Sequence, residues 1–401
     1  PRNSLCALIA YTPQHTFSGV TLELQLSEPE RAKAIARSGT DGGDGTAQYL
    51  ELRDGAVKDM AFNDNALNIV TVSEHADTTR PLVQSVEAHY ENGTLVFFFS
   101  ETIDVTPWGV SPLGIADGGT NTGTTNRAGT QSISLLVNMT AIRIHNKTIQ
   151  DPTGYAVHDS VYADEDLTHF SLKGASVVAT DRVDGTTVTV HLTESQRARA
   201  IALSHAKDSG GDGVDSARVT CDTGAFFDVA GNPTRAAHSL VLFERVDGAH
   251  PTVTHAQLHL SNGTLLLTAN EFIDTTPAEH VRLERVYLGD TGSDRLTFPM
   301  GLVGSKIFES DAFVVSITLT EAQRVRAIQI SNTAGGDSNG AAVLVMDAGA
   351  LRDVAQNDNL NVESLSIEEF ADVVPPRLIG AELNFSTGIL EVIFSETIDA
   401  T

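Results

Sequence analysis

The sequence predicts an all-β chain of tandem β-sandwich repeats, each with one short crossover helix. Three recurring phrases carry that prediction. NGTLVFFFSETIDVTP from Asn92 returns as NGTLLLTANEFIDTTP from Asn262 and as TGILEVIFSETIDAT from Thr387. LSEPERAKAI from Leu26 returns as LTESQRARAI from Leu192 and LTEAQRVRAI from Leu319. DMAFN from Asp59 returns as DVAGN from Asp228 and DVAQN from Asp353. Their order never changes. The glutamate of the first phrase falls at Glu101, Glu271 and Glu396, so one spacing is 170 residues (101 to 271) and the next 125 (271 to 396). Self-similarity at this scale marks a repeat architecture with one enlarged copy.

Each copy opens near a proline, at Pro81, Pro251 and Pro375. The expected copies are therefore 1–79 (the back of one), 80–249 (a full, enlarged one), 250–374 (a full, shorter one) and 375–401 (the front of another). A chain that opens and closes inside copies is expected to be a window on a longer array, or to have each end completed by another chain, as in donor-strand pairing. The extra length of the enlarged copy is expected after Trp108. Gly118–Ser132 there is rich in Gly, Thr and Asn and reads as an exposed loop. SLLVNMTAIRI, after it, reads as an added strand.

Within the 250–374 copy, VTHAQLHL and TLLLTANEFI alternate apolar and polar residues around Asn262-Gly263. That is a hairpin signal, and a type I′ turn would need φ > 0 at both central residues. FVVSITL from Phe313 is a strand by its β-branched content. The TEAQR phrase starts a helix, because Thr320/Gln323, Thr193/Gln196 and Ser27/Glu30 all fit a capping box. Glycine-rich loops stop each helix: GTDGGDG from Gly39, DSGGDG from Asp208 and AGGDSNG from Ala334. AAVLVMD, the Asp-x-Ala-x-Asn turn and a last strand, VESLSIEEF, complete the copy. Short strands with turn signals every ~8–12 residues fit a sandwich, and the helix is expected to cross between sheets or cap an open edge.

Composition narrows the functional classes. Lys+Arg number 26 against Asp+Glu 52, a formal net charge of -26. Nucleic acid and anionic membrane surfaces both need basic residues and are not expected partners. Cations and basic partners are. The chain has 41% hydrophobic residues, enough for packed cores, but no run of ~20 that would span a membrane. No signal-peptide pattern opens it. The cysteines, Cys6 and Cys221, occupy non-corresponding positions. Two buried free thiols are expected, with a disulfide between them as the alternative.

The pairing of a hairpin strand with a later D-x-AGN turn, carried most clearly by Thr264–Asp274 for the strand and Asp228–Asn232 for the turn, resembles the immunoglobulin-like repeats of large bacterial, cyanobacterial and algal surface proteins. The resemblance covers nearly the whole chain. It implies immunoglobulin-like sandwiches and a role as stalk, adhesin or surface-layer component. The inserted T-E-x-Q-R-x-R-A-I helix departs from the usual plain strand pair.

Four sets of residues are candidate sites. Acidic residues recur in the hairpin phrase (Glu101 and Asp104, Glu271 and Asp274, Glu396 and Asp399). They recur before the boundary prolines (Glu74 and Asp77, Glu244 and Asp247, Glu369 and Asp372) and at the turns (Asp59, Asp228, Asp353). FNDN from Phe62 and QNDN from Gln356 are similar to the cadherin linker motif, which implies calcium at copy junctions. Calcium takes six to eight hard oxygens, so Asp77, Glu101, Asp104, Asp228, Asp247, Glu271, Asp274, Asp353 and Asp372 are its expected ligands. The plain alternative is that Asp and Asn only make turns. Next, Arg31, Lys33 and Arg37, then Arg197 and Arg199, then Arg324 and Arg326, put positive charge on each helix. They either dock on acidic surfaces of a neighbouring copy or chain, or pair with their own glutamates. Third, Asn92, Asn138, Asn146, Asn262 and Asn384 satisfy N-x-[ST] and are expected glycan sites if the chain is exported by a eukaryote. Finally, no HExxH, G-x-S-x-G, P-loop or zinc-type cysteine pairing is present, and a carboxylate pair repeated in every copy is not how enzymes place one active site. No catalysis is expected. Trp108 could stack on a sugar, but a lone aromatic is more often core.

The expected function is a structural one: a component of an extracellular filament, appendage or surface coat, whose partners are further copies of the same repeat. The alternative is an adhesin that binds through the Gly118–Ser132 loop.

Overall fold

The computed structural model describes residues 20–106, 137–145, 169–178, 184–213, 215–290, 300–336 and 340–399. Trp108, the Gly118–Ser132 loop, Asn146 and Cys6 lie outside the described residues. The chain divides into two units, Pro1–Gln196 with Asp215–Arg245, and Arg197–Val214 with Val246–Thr401. It is mostly β. The three α-helices among the described residues, α1 (Glu28–Ile35), α2 (Glu194–Ala202) and α3 (Glu321–Gln329), follow the repeated TEAQR-type phrase. The box residues close their N-termini: the Thr320 amide donates to Gln323 Oε1 at 2.8 Å, the Thr193 amide to Gln196 Oε1 at 2.9 Å and the Ser27 amide to Glu30 Oε2 at 2.9 Å.

The first unit opens with a hairpin of β1 (Tyr49–Leu52) and β2 (Asn68–Thr71). Then come β3 (Val83–His89), β4 (Thr94–Ile103), β5 (Ile142–His145), β6 (His169–Ser171), β7 (Ser176–Val177), β8 (Gly185–His191), β9 (Arg218–Cys221) and β10 (Ala237–Arg245). These form an eight-stranded sheet in the order β6-β5-β9-β10-β3-β4-β8-β7. The second unit repeats it with β11 (Val253–His259), β12 (Thr264–Ile273), β13 (Val286–Asp290), β14 (Met300–Gly301), β15 (Lys306–Ile307), β16 (Ala312–Thr318), β17 (Ala342–Met346) and β18 (Val362–Phe370). Its order, β14-β13-β17-β18-β11-β12-β16-β15, is the same with each label raised by eight. A final hairpin joins β19 (Leu378–Asn384) to β20 (Ile389–Phe394).

One long strand makes each sheet curl. In β10 the first half pairs antiparallel with β9, and the second half pairs parallel with β3, with Leu242 opposite Val86. β18 does the same, with Ile367 opposite Ala256. Ser239, at φ 55, sits where the β10 register shifts, as expected of a bulge that bends a strand. In the second unit the two halves close over one core. It takes Leu265 and Leu267 from β12, Ile317 from β16, Leu288 from β13 and Leu344 from β17. Side chains alternate inward along β12, while β17 is buried at every position, and each fully buried Leu or Ile contributes roughly 1.5–3 kcal/mol. In the first unit Phe226 packs at 5.2 Å from Phe97 and 4.8 Å from Phe99, ring centroid to centroid, on the same buried side.

Two expectations need correction. The hairpin turn is not type I′: Gly93 and Gly263 have φ 65 and 69, but Asn92 and Asn262 do not reach positive φ. His259 pairs with Thr264 across a four-residue loop, and the Gly263 amide donates to the His259 carbonyl at 2.9 Å. The asparagine serves differently, its Oδ1 accepting from the Thr264 amide at 3.0 Å, so one left-handed glycine is enough. Nor is the strand in SLLVNMTAIRI an addition. It is β5, which holds the place β13 holds in the shorter copy. A short 3-10 turn leads into both, Met139–Ala141 before β5 and Leu283–Arg285 before β13. Cys221 is buried and unpaired, and burial pushes its thiol up to about 12.

Candidate functional site

The recurring phrases meet in space. In the first unit the Arg31 guanidinium, projecting from α1, donates to Asp77 Oδ2 at 2.6 Å, Glu101 Oε2 at 2.8 Å and Glu28 Oε2 at 2.7 Å. Glu28 also accepts from the Thr102 amide at 2.7 Å, on β4. The Asp228 turn stands beside them. Asp228 accepts from the Ala230 and Asn232 amides and from Asn232 Nδ2, and Asn232 Nδ2 also donates to the Asp77 carbonyl at 3.1 Å. The glycine loop after α1 packs on the same turn at Gly42, next to Val229. Thus helix, linker, hairpin strand and turn, four stretches far apart in sequence, form one polar node.

The second unit holds the node twice. Arg197 donates to Asp247 Oδ2 and, at 2.8 Å, to Glu271 Oε2. Asp353 braces its own turn through Asn357, whose Nδ2 reaches the Asp247 carbonyl at 3.3 Å. Arg324 donates to Asp372 at 2.6 Å, Glu396 at 3.0 Å and Glu321 at 2.8 Å, and Glu321 accepts from the Thr397 amide at 2.9 Å. The arginines are 166 residues apart (31 to 197) and then 127 (197 to 324), matching the helix phrase.

The E-x-x-D pairs divide their work. Glu74 accepts from the Gly39 and Gln48 amides, Glu369 from those of Asn332 and Ala342, and Glu244 from that of Ala217. The glutamate therefore ties down the loop after the helix. Three residues on, the aspartate meets the helix arginine.

The charges are deeply placed. Arg197 is 4% exposed, Asp247 3%, Glu271 6% and Asp353 0%. Burial, with the Asp353 and Asp247 charges adding to it and Arg197 opposing it, pushes Glu271 up to about 7. Burial also raises Glu101, Asp228 and Asp353. In both triads, Asp77–Glu101–Asp228 and Asp247–Glu271–Asp353, one oxygen from each carboxylate lies within 4.8 Å of the others. Such a group can hold a metal ion or be neutralised by arginine and protons.

The remaining expected ligands lie elsewhere or in part. Asp372 is in the third node with Glu396. Asp104 accepts from the Thr106 amide, and Asp274 pairs with Arg352 at 3.0 Å, and neither belongs to a triad. Of the helix cations, Arg197 and Arg324 are buried, Arg199 is half-buried and Arg326 is exposed, bonding Gln329. Asn92, Asn138, Asn262 and Asn384 are exposed. Sequence reasoning did not place Glu28, Glu321, Asn232 or Asn357 among the expected site residues. Their signal was present: a glutamate three residues before each node arginine, and an asparagine four after each turn aspartate.

No protein-family model matches the chain, and no curated protein does. Among solved structures it is similar to a marsupial T cell receptor at 11% identity and a TM-score of 0.15, over 76% of this chain and 78% of that one. A likeness that slight carries no argument. No helix among the described residues is long and apolar enough to cross a membrane.

Proposed function

We propose that this chain is a structural component of an extracellular filament, appendage or cell-surface coat, built from tandem immunoglobulin-like repeats. The observation that carries this reading is the thrice-used node. In the first unit Arg31, from the first copy, bonds Glu101 of the second. In the second unit Arg324, from the third copy, bonds Glu396 of the fourth. The residues that every copy shares are thus spent on linking one copy's helix to the next copy's hairpin, not on lining a cleft. An array built this way gains stability copy by copy. Its partners would be further copies of the repeat, in the same or neighbouring chains. The exposed sequons at Asn92, Asn138, Asn262 and Asn384 support export, and N-linked glycans there are part of the proposal.

Electron microscopy of the native material tests it. Ordered fibres or a coat, with a spacing the size of one or two copies, are expected. Native material found only as separate, unassembled particles would sink it.

A further inference from the structure

We propose that each carboxylate triad, Asp77–Glu101–Asp228 and Asp247–Glu271–Asp353, binds one divalent cation of the hard, oxygen-seeking kind, with calcium as the probe of choice. The proposal concerns the node itself and holds whether or not the chain assembles.

Two independent observations carry it. The first is the convergence of three carboxylates, with an oxygen from each within 4.8 Å of the others. The second is an oxygen with nothing to do. Glu101 Oε1 and Glu271 Oε1 are buried and have no hydrogen-bond partner. Their residues are only 5% and 6% exposed. In both, the sister oxygen Oε2 takes the arginine. A buried carboxylate oxygen that no donor of the protein meets is costly unless another partner pairs with it. The same atom is left over at the equivalent position of all three hairpins, Glu396 included, which argues against an accident of packing, and only the first two hairpins add it to a carboxylate triad.

Charge points the same way. Each triad sets three carboxylates against one guanidinium, and in the first node Glu28 shares that guanidinium too, so negative charge is in surplus. A divalent ion offsets the surplus. The arginine does not do so alone: Arg31 donates to Glu28, Asp77 and Glu101, and Asp228 is served instead by its own turn, through Asn232 and the Ala230 amide. The donor set selects the class of ion. It is all carboxylate oxygen, with no thiol or imidazole, which suits calcium and not zinc or copper. Calcium's remaining positions would go to water. The ion would tie the turn aspartate to the linker aspartate and the hairpin glutamate, so the three phrases would be joined by a metal as well as by an arginine.

The third node supplies an internal control. Arg324, Asp372 and Glu396 repeat the arginine and two of the carboxylates, and Glu396 Oε1 is again buried without a partner. Glu321 also bonds this arginine, but no turn aspartate joins Asp372 and Glu396 in a triad among the described residues. This node is not expected to bind.

Isothermal titration of the whole 401-residue chain, stripped with chelator and titrated with calcium chloride alone in about 0.15 M salt, decides the matter. Two ions per chain are expected, one for each triad. Their Kd should be about 10⁻³ M or tighter, and saturation should raise Tm by roughly 5 °C. Glu271→Gln keeps an oxygen for Arg197 and removes the charge, so it should lose one ion. Adding Glu101→Gln should lose both. Asp104→Asn with Asp274→Asn should change nothing. If circular dichroism shows that a glutamine variant does not fold, Asp353→Asn carries the same test, since an amide oxygen can still accept from the Asn357 amide. The proposal is overturned if the wild-type chain binds no calcium. It is equally overturned if both ions persist in the folded double variant, or if acid, and not calcium, supplies the stabilisation, which would make the occupant a proton.

Discussion

Gly42 meets Val229 so closely that a Cβ on the glycine would lie 2.1 Å from the valine carbonyl oxygen. Gly210 and Val354 repeat the contact at 2.0 Å. In each case a helix-stopping glycine abuts the D-V-A-x-N turn. The glycines of these loops thus have two separate duties, positive φ and close approach.

Gly42 and Gly45 separate the two duties. Both have φ +83, but a Cβ on Gly45 would meet nothing within 4 Å. Gly45→Ala should cost about 1 kcal/mol, the backbone term alone. Gly42→Ala adds a backbone clash and should cost at least about 3 kcal/mol. Urea denaturation of both variants checks this, and equal midpoints would remove the close-approach argument.

The node arginine should matter far more than its helix neighbour. Arg324 is 5% exposed and faces three carboxylates, while Arg326 is exposed. Arg324→Ala leaves buried charges unpaired and should destabilise the second unit by about 3–5 kcal/mol. Arg324→Lys should recover little, since an ammonium cannot fork to several acceptors at once. Arg326→Ala should stay within about 0.5 kcal/mol of wild type. Calorimetric melts of the three variants are the measurement.

Acid should loosen the third node through Glu321. The hydrogen bond from Arg324 holds its carboxyl down to about 2, with burial opposing and the Thr397 amide adding. The unfolded chain titrates near 4.3. A depressed carboxyl stabilises the fold fully above that value and loses its contribution as pH falls toward 2. Wild type should therefore melt above Glu321→Gln at about pH 6, and the gap should narrow by about pH 2.5. A gap of constant size would mean that the glutamate acts through packing and not charge.

Much of the local structure was legible in the residues. Thr320 and Gln323 announced a capped helix, Asn262-Gly263 a hairpin, and the alternation in TLLLTANEFI a half-buried strand, because each depends on neighbours within a few positions. The turn type was misjudged for the same reason. Asn262 can satisfy its turn through its side chain and need not twist its backbone, and only the coordinates distinguish the two. β5 was misread as an addition because its equivalence with β13 is a matter of pairing, not of sequence likeness.

The sequence by itself determined that this protein is repetitive, acidic and mostly β, because period, charge and hydrophobic alternation are properties of the string. It also marked Asp77, Glu101, Asp228 and their equivalents as a set worth watching. Tertiary structure decided which of them meet. Asp104 lies three residues from Glu101 but outside its triad, while Asp228, 127 residues further on, lies within it (101 to 228). Successive side chains on a strand point to opposite faces, and a turn far along the chain can be folded against either face. Proximity in space is therefore set by sheet pairing and burial, which no stretch of sequence records on its own.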